Sequence, residues 1–155
     1  VRSYLDIQKM RYGDRLDYQI RIPEELKKLY TVKLLIQPLA ENSIYHGIKE
    51  SDRKGTILIT AGEEPGGVYL CVRDDGLGIS QETLTILNAD LKRGVTVSDG
   101  GYGIFNVNER IRLYFGRDYG LELRSCTGEW TEAVIHLPKY IPERTEWDVS
   151  DFDRR

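Results

Sequence analysis

The sequence predicts an α+β domain: a two-layer sandwich whose mixed, mostly antiparallel sheet of about five strands is covered on one face by about three helices. Three observations predict it. Two apolar runs, 56–61 and 67–74, are joined by a short glycine-bounded link, which favours an antiparallel hairpin. A second such pair, 121–126 and 131–137, is joined across Thr127-Gly128-Glu129. The stretches with helical spacing do not alternate with strands as parallel crossovers require, so a doubly wound sheet is excluded.

Each element has a local reason. Tyr4, Leu5, Gln8 and Tyr12 recur at helical spacing over residues 2–12. Residues 18–22 read as a strand stopped by Pro23, and 24–29 as a helical turn. From 32 to 46 the period is helical again, with Leu35, Leu39, Asn42 and His46 on one face. Pro38 is compatible with a helix that starts at Gln37, or with a kink, and Gly47 reads as the stop. The link between the first two hairpin strands is read as 62–67. In the second strand Val68, Leu70, Val72 and Asp74 face one way; a carboxylate ending an apolar face costs several kcal/mol, on the order of the desolvation of a polar group, unless it has a partner. Ser80 caps a helix running to about Asn88, with Glu82 in its first turn. Residues 89–102, polar and glycine-rich, read as a mobile segment. Ile104, Val107, Ile111 and Phe115 line a helix that stops at Gly116. In the last hairpin Ala133, Ile135 and Leu137 fall on the core face, and His136 is read as structural or exposed on an edge-like strand.

At 155 residues the chain suits one domain, able to bury roughly 68–70% of its extended surface. A net charge of −3 provides no basic field for nucleic acid, so any polyanion must be held locally. Cys71 and Cys126 each sit inside an apparent strand and read as buried free thiols of a reducing compartment. No stretch reaches the ~18 apolar residues of a membrane span, and no signal-peptide pattern is present. The chain opens at Val1 inside a charged helical pattern, as expected of a piece of something longer. It is expected to divide into a helical lead at 1–12, a domain at 13–140 and a tail at 141–155.

Three clusters could carry chemistry. Glu41, Asn42 and His46 fall within about a turn and a half of helix. Amide and carboxylate oxygens are hard ligands suited to Mg²⁺, which takes few protein ligands and completes its shell with phosphate oxygens and water. His46 can face the same site and donate to a phosphate, or can simply cap the helix end. Asp74 ends a strand just before Asp75-Gly76-Leu77-Gly78-Ile79, where its carboxylate could accept from an adenine amino group while glycine backbone approaches the ring. An ordinary acidic turn is the alternative. Gly101, Tyr102, Gly103 and Ile104 resemble a phosphate nest leading into a helix N-terminus, where free N–H groups favour anions. Neither a P-loop nor a dinucleotide fingerprint fits, because the Lys-Ser/Thr and the third glycine are missing. Lys92 and Arg93 could reach phosphates, or could belong to a solvated loop.

Gln37-Pro38-Leu39-x-Glu41-Asn42-x-x-x-His46-Gly47, Asp74-Asp75-Gly76-x-Gly78-Ile79 and Gly101-x-Gly103-Ile104-x-Asn106-Val107-x-Glu109-Arg110 occur in that order. Together they resemble the N box and two glycine boxes of the ATP-binding catalytic domain of sensor histidine kinases. The YesM/LytS-like branch is the most similar, within the superfamily that also holds gyrase, the Hsp90 chaperones and the MutL repair proteins. The resemblance runs from about Arg11 to Pro138. It implies a Bergerat ATP-binding fold, ATP and Mg²⁺ as ligands, and transfer of the γ-phosphate to a histidine. By it, Asn42 holds the Mg²⁺, Asp74 reads the adenine, Gly76 and Gly78 shape the base pocket, and residues 80–103 form a lid hinged at Gly101 and Gly103. His46 takes the phosphate-facing basic position, and Glu41 helps polarise the incoming histidine.

The resemblance also implies partners: a dimerisation segment that carries the acceptor histidine, and a response regulator. The parent would be a membrane-anchored sensor with this domain on the cytoplasmic side, and the chain by itself is expected to be monomeric. Neither His46 nor His136 lies in the Pro-His-Phe context of an acceptor. Other departures bear on mechanism. Pro38 stands where the ATP-hydrolysing relatives carry a water-activating glutamate, which favours transfer to a protein nucleophile. Asp75 replaces a common asparagine, and Gly128-Glu129-Trp130-Thr131 replaces Gly-x-Gly-Thr. A superfamily ATPase, a serine-directed kinase and a nucleotide-binding regulatory module remain the alternative functions.

Overall fold

A computed structural model of the chain describes residues 1–28, 31–51, 53–94 and 102–139. Helix α1 (Arg2–Tyr12) leads through a short 3₁₀ turn into β1 (Leu16–Arg21). Helix α2 (Ile36–Asn42) continues into a π-helical turn (Ser43–Ile48). Strands β2 (Gly55–Glu64) and β3 (Gly67–Asp74) follow, then α3 (Gln81–Arg93), α4 (Tyr102–Phe115), β4 (Gly120–Cys126) and β5 (Trp130–Pro138). The five strands form one mixed sheet in the order β1-β2-β3-β5-β4. Only β1–β2 pair in parallel; the other neighbours are antiparallel. The predicted two-layer sandwich is therefore the one observed.

One face of this sheet makes the core. Ile57 and Ile59 of β2, Val72 of β3 and Ile135 of β5 pack with Leu39, Ile44 and Ile48 from α2 and its π turn and with Val107 and Ile111 from α4. Each such side chain is almost fully buried, which stabilises the fold by about 1.5–3 kcal/mol per residue. Leu5 brings α1 into the same core, while Ile7 and Met10 on that helix stay exposed. Edge strand β4 is not left bare. Asn88 of α3 exchanges two hydrogen bonds with the backbone of Leu123, and the Asn108 carboxamide of α4 accepts from Leu121 N–H while donating to the Leu91 carbonyl. Those two amides pin both helices beside the outer strand, as an edge requires if it is not to recruit another chain.

Several local expectations are corrected. Gly62 is a strand residue: it pairs with Tyr69, and the turn is the two residues Pro65-Gly66. The Tyr69 ring lies over Gly62, and a side chain there would have to displace it. Helix α2 starts at Ile36, one residue before the expected point, so Pro38 sits in its first turn, where a missing N–H costs no intrahelical bond. Gly47 does not stop the helix but lies inside the π turn. Helix α3 runs on to Arg93 and ends on Gly94, which adopts φ +72°. Of the stretch expected to be mobile, residues 89–93 are helical; residues 95–101 lie outside the described residues, as does the tail from 140. Strand β5 is interior, not an edge, and His136 on it contacts Glu64 at 2.8 Å through Nδ1. Cys71 is buried, and burial pushes its thiol up to about 11; Cys126 is only half-buried. Both are free thiols.

Candidate functional site

A cavity of about 520 Å³ opens between the sheet and the helices. Its lining draws on α2 and the π turn, the end of β3, the loop after it, α3, the first turn of α4, and β4 and β5. Of the thirteen residues the sequence singles out for the site, eight meet here: Glu41, Asn42, His46, Asp74, Gly78, Ile79, Gly103 and Ile104. Gly76 sits immediately behind the wall. Lys92 and Arg93 lie on the exposed last turn of α3, do not line the cavity, and Arg93 faces Asp90 at 3.6 Å. Tyr102 begins α4, and Gly101 lies outside the described residues.

Asp74 is the best-defined of these groups. It is 3% exposed, at the end of an apolar strand face. Burial holds its carboxyl above the usual carboxylate range, and the neighbouring Asp75 adds to this; the Ser43 hydroxyl and the Gly76 N–H (3.1 Å to Oδ1) pull the other way. A buried carboxylate with two donors is a net cost to stability.

Glycines create the space around it. A Cβ on Gly47 would lie 2.5 Å from Asp74 Oδ1, and a Cβ on Gly76 would lie 2.4 Å from both the Cα and the carbonyl oxygen of Gly47. The two backbones therefore pass in contact directly beside the carboxylate. This explains the π turn: the extra residue per turn carries Gly47 across Asp74 without ending the helix, a device frequent at functional sites. Gly78 takes φ +66°, and a side chain there would strike the Cys126 carbonyl at 2.1 Å. The loop is tied to β4 and β5 by Ile79 N–H to Ser125 Oγ (2.8 Å), Thr127 Oγ1 to the Ile79 carbonyl (2.9 Å) and Gly128 N–H to the Leu77 carbonyl (2.6 Å).

The polar rim is built differently. The Asn42 carboxamide packs 3.2 Å from where a Cβ of Gly103 would be, so any side chain there would press on it and the glycine lets the first turn of α4 rest close against it. Glu41 accepts from Gln37 Nε2 (3.0 Å), one helical turn earlier. His46 is exposed at the mouth. Among the described residues no cluster of three or more His, Cys, Asp or Glu could hold a metal by itself. A cation held here would take Asn42 and complete its shell from ligand oxygens and water, which fits Mg²⁺ better than a tightly caged metal.

Two sequence departures find structural answers. Asp75 points out of the cavity, accepting from Thr56 N–H (2.6 Å), a role an asparagine oxygen would fill equally. Trp130 lies on the opposite sheet face, its ring 4.3 Å from the Arg73 guanidinium, while its neighbour Thr131 lines the cavity. Sequence reasoning missed Ser43, Thr83 and Leu87 as lining residues. Ser43 directly follows Asn42 on a helix whose pitch changes there, so helical spacing could not assign its direction.

The cavity is thus walled by glycine backbone, floored by a buried carboxylate and rimmed by a helical asparagine, on a two-layer sandwich. The chain belongs to the family of histidine kinase-, DNA gyrase B- and HSP90-like ATPases, whose model matches residues 29–141. It is 36% identical over 138 residues to the sensor histidine kinase YesM of Bacillus subtilis, covering 89% of this chain and 22% of that protein. It is 33% identical to the sensor histidine kinase YpdA of Escherichia coli (89% and 23%) and 29% identical to the sensor protein LytS of Bacillus anthracis (94% and 24%). The chain thus spans less than a quarter of the length of these relatives. The fold is shared with the histidine kinase domain of a blue-light-activated kinase from Erythrobacter litoralis, at a TM-score of 0.57 and 16% identity over 88% of this chain and 61% of that one. Among the described residues no helix is long and apolar enough to cross a membrane.

Proposed function

We propose that the cavity binds Mg·ATP and that the domain transfers the γ-phosphate to a histidine on a dimerisation segment outside these residues, as the catalytic module of a two-component sensor kinase. The observation that carries this reading is Asp74, a buried carboxylate whose donors are the Ser43 hydroxyl and the Gly76 N–H, which leaves its oxygens further acceptor capacity, beside a wall of close-packed glycine backbone. Its free acceptor capacity suits the exocyclic amine of adenine, and Val72, Ile79, Leu87, Leu123 and Ala133 supply the apolar surroundings of a base.

Asn42 would hold Mg²⁺, which neutralises charge on the phosphate oxygens when bound. Around it, His46 and the backbone N–H groups at the start of α4 (Tyr102 to Ile104) bind phosphate, together with Gly101, which precedes them in sequence, and with Lys92 and Arg93 as further cations from α3. Glu41 accepts a hydrogen bond from the incoming imidazole and keeps its attacking nitrogen nucleophilic. That nitrogen bonds to the γ-phosphorus as the bond to the β,γ-bridging oxygen breaks, and ADP leaves. The phosphoryl group then passes to a response-regulator aspartate. The similarity to sensor histidine kinases is in keeping with this sequence of steps, and with it we place the domain on the cytoplasmic side of a membrane-anchored parent. Hydrolysis to water is the second reading; Pro38, which lines the cavity where a water-activating acid would be needed, speaks against it.

The test is transfer in trans. The chain is incubated with γ-labelled ATP, Mg²⁺ and the histidine-bearing segment of its parent. Acid-labile label on that segment, lost with Asn42→Ala, supports the reading. Steady release of inorganic phosphate with no label on the segment would replace it with an ATPase.

A further inference from the structure

We propose that Arg53 is a positioning residue for the base end of the cavity. This rests on the nucleotide reading above and adds a residue that lies outside all three sequence boxes. Arg53 follows the π turn, is exposed, and does not line the cavity. One guanidinium nitrogen, Nη2, donates to three backbone carbonyls at once: Asp75 at 3.1 Å, Gly76 at 3.0 Å and Gly128 at 2.8 Å. Two belong to the loop that follows β3 and the third to the turn between β4 and β5.

Three carbonyl oxygens converging on one point repel one another and need a positive donor between them, and charge-assisted bonds are the stronger class. The consequence runs directly to the carboxylate. The Asp75 carbonyl and the Gly76 N–H are two ends of one peptide plane. Arg53 grips its oxygen, and Asp74 Oδ1 accepts from its N–H at 3.1 Å. The plane is held from both sides, so the orientation of the Asp74 carboxylate is coupled to Arg53 through a single rigid unit. Two neighbouring bonds locate Arg53 itself: its N–H donates to Ser51 Oγ (3.3 Å), and the Ser51 carbonyl accepts from Arg15 (2.6 Å). Arg53, located by Ser51, thus fastens the base loop to the β4–β5 turn.

A lysine can supply the charge but not the fixed planar geometry, and a glutamine supplies neither charge nor reach. The experiment compares the unmodified chain with Arg53→Gln and Arg53→Lys in two measurements. The first is amide hydrogen exchange without nucleotide. In Arg53→Gln, exchange at Gly76 and at Gly128 should rise about tenfold, the scale of a lost charge-assisted bond, with β2 and β3 unchanged and Arg53→Lys intermediate. The second is binding of adenosine, ADP and ATP. Affinity should fall by a similar factor for all three, because the defect lies at the base and not at the phosphates. Unchanged exchange at both turns overturns the proposal. A loss that grows from adenosine to ATP also overturns it, by making Arg53 a phosphate-attracting charge. If the unmodified chain binds none of the three ligands, the nucleotide reading fails, while the exchange comparison still decides whether Arg53 fastens the two turns.

Discussion

The two ends of the cavity are built from different materials. The end we propose for the base, called the base end below, is backbone: the close approach of Gly47 and Gly76, the φ +66° of Gly78 against the Cys126 carbonyl, and a carboxylate that is 3% exposed. The polar end is side chain: Asn42 resting on Gly103, Glu41 hydrogen-bonded to Gln37, and His46 exposed at the mouth. Backbone contacts cannot be re-aimed by a rotamer change, so the base end is preformed and intolerant. Side chains on a helix can reorient, so the polar end suits a ligand whose charge and metal arrive together. Substitutions should therefore fail in different ways at the two ends.

The largest effect should come from Gly76→Ala. Its new methyl would meet the Gly47 backbone at 2.4 Å, and neither strand end nor π turn can move without uncovering the core. The expected loss is about 2–4 kcal/mol in unfolding free energy, with no measurable ATP binding; thermal unfolding checks the first and calorimetry the second. Next is Asp74→Asn, which separates function from stability. ATP affinity should drop about ten- to hundredfold, the scale of a hydrogen bond to a charged group. Stability should hold within about 1 kcal/mol or improve, because a neutral amide is easier to bury. A matched loss of both would make Asp74 structural and erase the contrast between the two ends.

Acidity offers a third probe of the base end. Burial raises the folded-state pKa of Asp74 above its ordinary 3.8, so the folded form takes up its proton more readily than the unfolded form. Its contribution to stability is full below about that ordinary value and is lost as pH rises through the raised one. Binding should run in the opposite sense. The ionised carboxylate is the better acceptor for an amine, so ATP affinity should increase as pH rises through the same window above 3.8, with proton release on binding. Titrations in buffers of different ionisation enthalpy measure that release, and Asp74→Asn should abolish it.

At the polar end, Asn42→Ala should leave adenosine binding intact while removing most of the Mg²⁺-dependent gain for ATP, about tenfold for one lost metal ligand. An equal loss for adenosine would mean that the two ends are not separable. The smallest effect is expected for Trp130→Ala. Its ring stacks on Arg73 across the other sheet face, so ATP affinity should stay within about twofold while stability falls by about 0.5–1 kcal/mol.

The same division explains what could be read from the sequence. Period-2 alternation gave β2 through β5 to within a few residues, because one face of each strand packs on the core and the other does not. Asp74 was legible as a carboxylate that should not end an apolar face without a purpose. Gly47 was misread as a stop, since a glycine after a helical run usually is one, and only the packing of Gly76 reveals that this glycine makes room. Helix α3 was cut short at Asn88 because Asp90, Lys92 and Arg93 look like loop; Leu91 is buried there, and Asn108 and Arg112 donate to the carbonyls of its last turn. Arg53 left no local signal at all. Its three acceptors are backbone atoms from distant parts of the chain, and no side-chain pattern encodes them.

The most direct test of the central claim is calorimetric titration of the chain with a non-hydrolysable ATP analogue, with and without Mg²⁺, beside Asp74→Asn. Binding that strengthens with Mg²⁺ and weakens at least tenfold in the folded Asp74→Asn variant is the predicted result. Binding of equal strength in both proteins would contradict it, because the adenine would then not be read by the buried carboxylate at the base end.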